Sequence, residues 1–219
     1  VGMPLSGELF FMYATMLIAI PTGVKIFNWL ATMWRGSMTF ETPMLYAISA
    51  VALFTVGGLT GVMMAITPAD FQYHDTYFIV AHFHYVIFCG SVLSMFGAVY
   101  FWLPKWTGHM YNETLGKWHF WLTVIAFNVT FFPQHFLGFA GMPRRIPDYA
   151  QQFTEFNMVS SIGAFVLGFS QILLLINVVR TIKAGQQASD QVWEGAEGLE
   201  WTLPSPTPYH TFATPPKIS

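Results

Sequence analysis

The sequence predicts an all-α membrane protein with five transmembrane helices. Two observations carry that expectation. Of 219 residues, 54% are hydrophobic and only 9% are charged, against about 25% charged in an ordinary soluble domain. Five apolar runs each reach the ~20 residues needed to cross a ~30 Å hydrocarbon core, and the charges fall almost entirely between them. A net charge of −2 and the lack of a basic patch argue against a nucleic-acid partner. The single cysteine, Cys89, excludes an internal disulfide framework and a CxxC metal site.

In chain order the expected spans are Leu5 to Leu30, Pro43 to Ile66, Tyr77 to Leu103, Lys117 to Leu137 and Phe156 to Ile182. Residues 1–183 form the transmembrane region and 184–219 an extramembrane tail. The tail is polar, acidic and proline-rich, a composition that extends over a surface rather than folding alone. Val1 is not a methionine, and no basic segment or cleavage site marks a signal peptide, so part of a longer chain is expected.

The positive-inside rule sets an orientation. Arg35, Lys105, Lys117, Arg180 and Lys183 follow spans one, three and five, all on one side. That side is expected to be cytoplasmic, with the tail there and the N-terminal end outside. "GMPRRIPDY" violates the rule, because Arg144 and Arg145 fall on the opposite side. Such a pair suits a fixed anionic partner; the alternative is solvation among headgroups.

The stretch "HDTYFIVAHFHYVIF" places three histidines and an aspartate in one of the most apolar parts of the chain. Unpartnered polar groups there cost several kcal/mol each. Successive helical residues lie ~100° apart, so His82 and His84 differ by ~200° and point to opposite sides of the third span. One metal cannot take both. Two separate ligands flanking one helix is the functional reading, and imidazole in an apolar site suits haem iron. A hydrogen-bonded core histidine is the alternative.

His74 and Asp75 precede the span at the outer interface, where imidazole plus carboxylate suits Mg²⁺ or Mn²⁺; Asp-Thr is also an ordinary helix cap. In the first span, "IPTGVKIFNW" sets Lys25 well past the midpoint, with Thr22 three residues earlier on the same face and Pro21 loosening the helix. Intramembrane ionisable residues mark proton or ion paths. The alternative is a lysine snorkelling to the surface.

The stretches "HDTYFIVAHFHYV", "IPTGVKIFNW", "FFPQHFLGFAGMPRRIPDY" and "PYHTF" resemble subunit I of the haem–copper oxidases, of the proteobacterial cytochrome c oxidase type. The likeness covers essentially the whole chain, and implies the last five of a twelve-helix bundle. It implies His82 as axial ligand of a high-spin haem and His84 of a low-spin haem, both of a type. It implies Arg144 and Arg145 as holders of haem propionates, His74 and Asp75 as an Mg²⁺ or Mn²⁺ site, and Thr22 and Lys25 as a K-type proton path. Asp70 falls in the outer propionate region.

The implied activity is reduction of O₂ to water with electrons from cytochrome c, coupled to proton pumping in a bacterial cytoplasmic membrane. The implied partners are the N-terminal part of subunit I, subunits II and III, cytochrome c acting through subunit II, and the lipid bilayer. Copper belongs to the full subunit, but its family ligands lie upstream of "VGM". His109, His119, His135 and His210 are no substitutes, so this chain alone is expected to be inactive. Two readings compete: a quinol-oxidising member of the same superfamily, and a cofactor-free secondary transporter using Lys25 and Asp75, which would show helices broken at mid-membrane.

Overall fold

The computed structural model describes residues 2–212 and 214–216; Val1, and Ala213 and Lys217–Ser219 in the expected tail, lie outside them. Seven α-helices are described: α1 Leu5–Met33, α2 Thr42–Ala65, α3 Thr67–Tyr73, α4 Tyr77–Ile87, α5 Ser94–Thr107, α6 Glu113–Phe139 and α7 Thr154–Ala184. A π-helical segment, Phe88–Leu93, joins α4 to α5 so that Tyr77–Thr107 forms one crossing. Among the described residues, five helices are long and apolar enough to cross a membrane. This is an all-α membrane architecture.

Four of the five crossings run at least two residues beyond the predicted apolar runs, and side chains cap two of the helices. Thr76 caps α4, its hydroxyl accepting from the Phe78 amide at 3.2 Å, and the Asn112 side chain caps α6 at the Leu115 amide, 2.8 Å. Each satisfies a helix-end donor that has no partner inside the helix. The π segment and short α3 had no signal in the apolar runs. Pro21 lies inside a continuous α1, so the expected loosening does not break the helix.

Along α7 polar and small residues face inward, and large apolar ones face outward. Ser160, Gly163, Ser170, Asn177 and Thr181 are buried, while Phe165, Phe169 and Leu175 are exposed. Close approach drives such packing where lipid already matches the apolar side chains. A Cβ on Gly163 would meet Thr130 Oγ1 of α6 at 2.6 Å, so only glycine lets these two backbones approach. Ser170 and Thr123 hydroxyls hydrogen-bond across the same interface at 3.0 Å. The core proper is aromatic: Tyr46, Tyr85, Tyr100 and Phe127 are fully or almost fully buried.

The two ends of the bundle are sewn differently. At one end, the α3–α4 and α6–α7 connections pair: the Tyr77 amide donates to Met142 O at 3.0 Å, and the Arg144 amide to Asp75 O at 2.9 Å. At the other, residues after α7 run back across the bundle. Gln186–Gln187 (β2) pairs antiparallel with His109–Met110 (β1), and Trp193 stacks on Phe101 at 5.7 Å. Lys105 corrects the sequence reading, which set it in a connection. It lies inside α5, 2% exposed. Its ammonium donates to Asp190 O at 3.1 Å, to Leu203 O and to Ser205 Oγ. A buried cation needs such acceptors to replace water.

Candidate functional site

His82 and His84 project from α4 in opposed directions, and the chain fixes both rings in the same way. His82 Nδ1 lies 3.0 Å from Gly57 O and 3.0 Å from Thr60 Oγ1, both on α2. The Thr60 hydroxyl donates to the same Gly57 carbonyl at 2.8 Å. His84 Nδ1 lies 2.8 Å from Val80 O, and its ring stacks on Phe131 of α6 at 3.9 Å. A carbonyl only accepts, so Nδ1 carries the proton in both rings and Nε2 keeps its lone pair. Among the described residues Nε2 of neither ring has a hydrogen-bond partner.

That arrangement fits haem iron. Metal-binding imidazoles donate their other N–H to a carbonyl, which sets tautomer and orientation. Gly61 adds a steric condition: a Cβ there would stand 2.9 Å from His82 Cε1, so the ring lies against bare α2 backbone.

At the end where the loops pair, Arg144 Nε donates to Asp75 Oδ1 at 2.8 Å. This bond, more than any other influence, holds the Asp75 carboxyl below its ordinary range. His74 Nε2 faces Asp75 Oδ2 at 3.5 Å, and its Nδ1 faces Asp70 Oδ2 at 3.4 Å. Asp75 and Arg145 both sit at positive φ, 54° and 62°, a conformation non-glycine residues adopt at some cost. Arg144 is thus committed to a carboxylate, while Arg145 is exposed. Among the described residues no group of three or more His, Cys, Asp or Glu is arranged around a metal. His74 and Asp75 alone would supply a divalent ion with two side-chain donors, fewer than the six it takes.

Thr22 and Lys25 lie on α1 and are not joined to each other by a hydrogen bond. The Thr22 hydroxyl donates back to Ile18 O at 2.7 Å. Lys25 is exposed, its Nζ 6.0 Å from the Trp29 ring centroid, at the limit of a cation–π contact.

Residues 1–166 match the model of the family described as Cytochrome C and Quinol oxidase polypeptide I. The chain belongs to that family. It is 50% identical over 219 residues to cytochrome c oxidase subunit 1 of Cereibacter sphaeroides, covering 99% of this chain and 38% of the relative. It is 51% identical over 221 residues to the subunit 1 of Alkalihalophilus pseudofirmus, covering 100% and 35%. The chain thus spans little more than a third of these relatives. A haem–copper terminal oxidase dimer solved by cryo-EM shares the fold, with a TM-score of 0.74 at 17% identity over 85% of this chain and 38% of that one. Membership of the oxidase family replaces the transporter reading. Nor is the third crossing cut at mid-membrane, since it passes through the π segment without a break.

Two further histidines are buried in the bundle. His119 is fully buried, its Nδ1 2.8 Å from Tyr46 OH and 3.0 Å from Tyr100 OH. His135 donates from Nδ1 to Phe132 O at 3.1 Å and leaves Nε2 buried without a partner. The only sequence signal for either was a polar residue on an otherwise apolar span.

Proposed function

We propose that this chain is the haem-holding and proton-delivering part of the catalytic subunit of cytochrome c oxidase, which reduces O₂ to water with electrons from cytochrome c and pumps protons. The observation that carries the proposal is the pair of histidines on one helix, each with Nδ1 tied to a carbonyl and Nε2 free, facing opposite sides. When bound, two a-type haems supply electron transfer and oxygen reduction, with copper held by the rest of subunit I.

His82 is assigned to the high-spin haem and His84 to the low-spin haem. Their Nδ1–carbonyl bonds hold each ring upright and raise the basicity of Nε2. Arg144 and Arg145 hold propionates, the planar guanidinium forks matching carboxylate geometry. Arg144 bridges that role to the Mg²⁺ or Mn²⁺ site at His74 and Asp75 through its bond to Asp75. Thr22 and Lys25 relay protons along α1: the hydroxyl accepts and passes a proton, and the ammonium stores one. The membrane is the bacterial cytoplasmic membrane, with the tail in the cytoplasm and the N-terminal end in the periplasm. Subunits II and III and the N-terminal part of subunit I are the protein partners, and cytochrome c delivers electrons through subunit II.

Identity of 50–51% to subunits named for cytochrome c favours that donor over a quinol. The test is O₂ uptake by the complex built on the full-length subunit, with a pyridine haemochrome assay. Two haems and uptake driven by reduced cytochrome c are expected. Uptake with quinol alone would move the assignment to the quinol-oxidising branch, and absence of haem would overturn it.

A further inference from the structure

Three buried oxygens meet near the tail end of the bundle, and no role given above uses them. They are Thr42 Oγ1 at the first residue of α2, Tyr111 OH in the connection between β1 and α6, and Glu113 Oε2 at the first residue of α6. Thr42 is fully buried and Tyr111 is 4% exposed. Among the described residues none of the three oxygens has a hydrogen-bond partner. A hydroxyl or carboxylate oxygen left bare in the interior forfeits the hydration it had in water.

The contacts around them bring the three together. The other oxygen of the same carboxylate, Glu113 Oε1, accepts from the Thr42 amide at 2.8 Å, a helix-start donor with no partner inside α2. Lys117 Nζ also pairs with Oε1, at 3.6 Å, and leaves Oε2 to the interior. Glu113 and Thr42 are the polar neighbours of the Tyr111 hydroxyl as well, yet neither stands in hydrogen-bonding geometry to it. Burial first, and then the Glu113 charge, push that hydroxyl above its ordinary range, so it keeps its proton as a donor. On the α6 side a Cβ at Gly116 would stand 2.7 Å from Thr42 Oγ1. At that turn α6 therefore offers Thr42 bare backbone and no side-chain partner.

Oxygens that face one another without bonding call for one small partner that both donates and accepts. Water does both, and a buried water typically makes about three such bonds. A hard divalent cation takes about six to eight oxygens, twice what converges here. An anion would meet the Glu113 carboxylate. We propose that this junction binds one structural water, which accepts from the Tyr111 hydroxyl and donates to Glu113 Oε2 and Thr42 Oγ1. The water ties the start of α2 to the start of α6. Those helices also orient the two histidine rings, α2 through Gly57 and Thr60 and α6 through Phe131. Bulk water reaches the junction from a cleft of about 540 Å³ that Tyr111 and Glu113 themselves line, with Arg180 and Thr181.

The test is a cryo-EM map of the assembled oxidase containing the full-length subunit, at a resolution that shows ordered water. One peak is expected within about 2.7–3.2 Å of all three oxygens. Direct bonding of the Tyr111 hydroxyl to Glu113 or Thr42, with no peak between them, overturns the proposal. So does a peak at the ~2.3–2.6 Å distance of a metal–oxygen bond. Thermal unfolding of the same complex is the second measurement, on Thr42→Val and Tyr111→Phe, which keep shape and remove one hydroxyl each. Thr42 and Tyr111 do not bond to each other, so a shared water makes their losses overlap. In complexes whose haem spectra match the parent's, each single variant should lower the unfolding midpoint, and the double variant by clearly less than the sum. Additive losses, or no loss in any variant, overturn the shared water.

Discussion

In α1 only Ile26 is buried, whereas α6 buries His119, Phe127, Thr130 and His135 among others. The side chains assigned to function follow the same division. His82 and His84 are oriented by carbonyls of α2 and α4 and by the Phe131 ring of α6, all within this chain. Among the described residues, the polar contacts of Lys25 and Thr22 are to their own helix alone. The comparison separates two kinds of side chain: histidines held ready by local packing, and a lysine, proposed for a proton path, that is exposed in this chain. If that division is right, substitutions near the histidines should act on one haem at a time, and substitutions at Lys25 should leave both haems alone.

The largest effect is expected at Lys25. Lys25→Met keeps length and loses the titratable proton, so turnover of the assembled oxidase should fall by about 100-fold or more, the range lost with a proton-transferring group. Both haem bands should persist in the visible spectrum. Near-normal O₂ uptake would return Lys25 to a snorkelling surface lysine and erase the contrast with α4.

Next in size is Gly61→Ala. The new Cβ would press on His82 Cε1, so the ring must tilt, while the helix gains up to about 1 kcal/mol of propensity. Thermal stability should therefore hold while CO binding at the His82 haem weakens. An unchanged CO difference spectrum would show that α2 does not set this ring.

Thr60→Val keeps the shape and removes the hydroxyl shared by Gly57 O and His82 Nδ1. Loss of such an outer partner typically costs 10–100-fold in metal affinity, and the remaining carbonyl puts this case near ~10-fold. Haem retention at His82 on dilution measures it, with retention at His84, which has no hydroxyl partner, as the internal control. Equal loss at both haems would break the one-ring assignment.

The smallest effect concerns the Asp75–Arg144 bond. Arg144 holds the folded Asp75 carboxyl below its ordinary value of 3.8. A depressed folded value means the contribution is fully present above the unfolded value and is lost as pH falls through the folded one. In a His74→Gln background, where imidazole protonation plays no part, retention of Mn²⁺, followed by electron paramagnetic resonance, should weaken only below that ordinary carboxylate range while Arg144 is in place. In Arg144→Lys, which keeps the charge but loses the fork, weakening should begin at higher pH. Superimposable pH profiles would show that Arg144 does not tune this site.

How much of this was legible depended on whether the signal was local. The five crossings were, because apolar length and the placing of charges are properties of consecutive residues. The ~200° offset of His82 and His84 followed from a two-residue spacing alone. What holds His82 was not legible, since Gly57, Thr60 and Gly61 lie more than twenty positions away and carry no mark of facing an imidazole. The pairing of Asp75 with Arg144 spans 69 positions, and only the odd charges of "PRR" hinted that an anion waited there. Lys105 misled for a physical reason: a lysine at the end of an apolar run reads as solvated, but here tail carbonyls take the place of water.

One comparison bears most directly on the claim that a single helix stands between two haems. It is the reduced and CO-bound visible spectra of His82→Ala and His84→Ala in the assembled oxidase. The first should lose CO binding with the low-spin band intact; the second should lose the low-spin band with CO binding retained. Loss of the same single band in both variants, in complexes that still assemble, would contradict the claim.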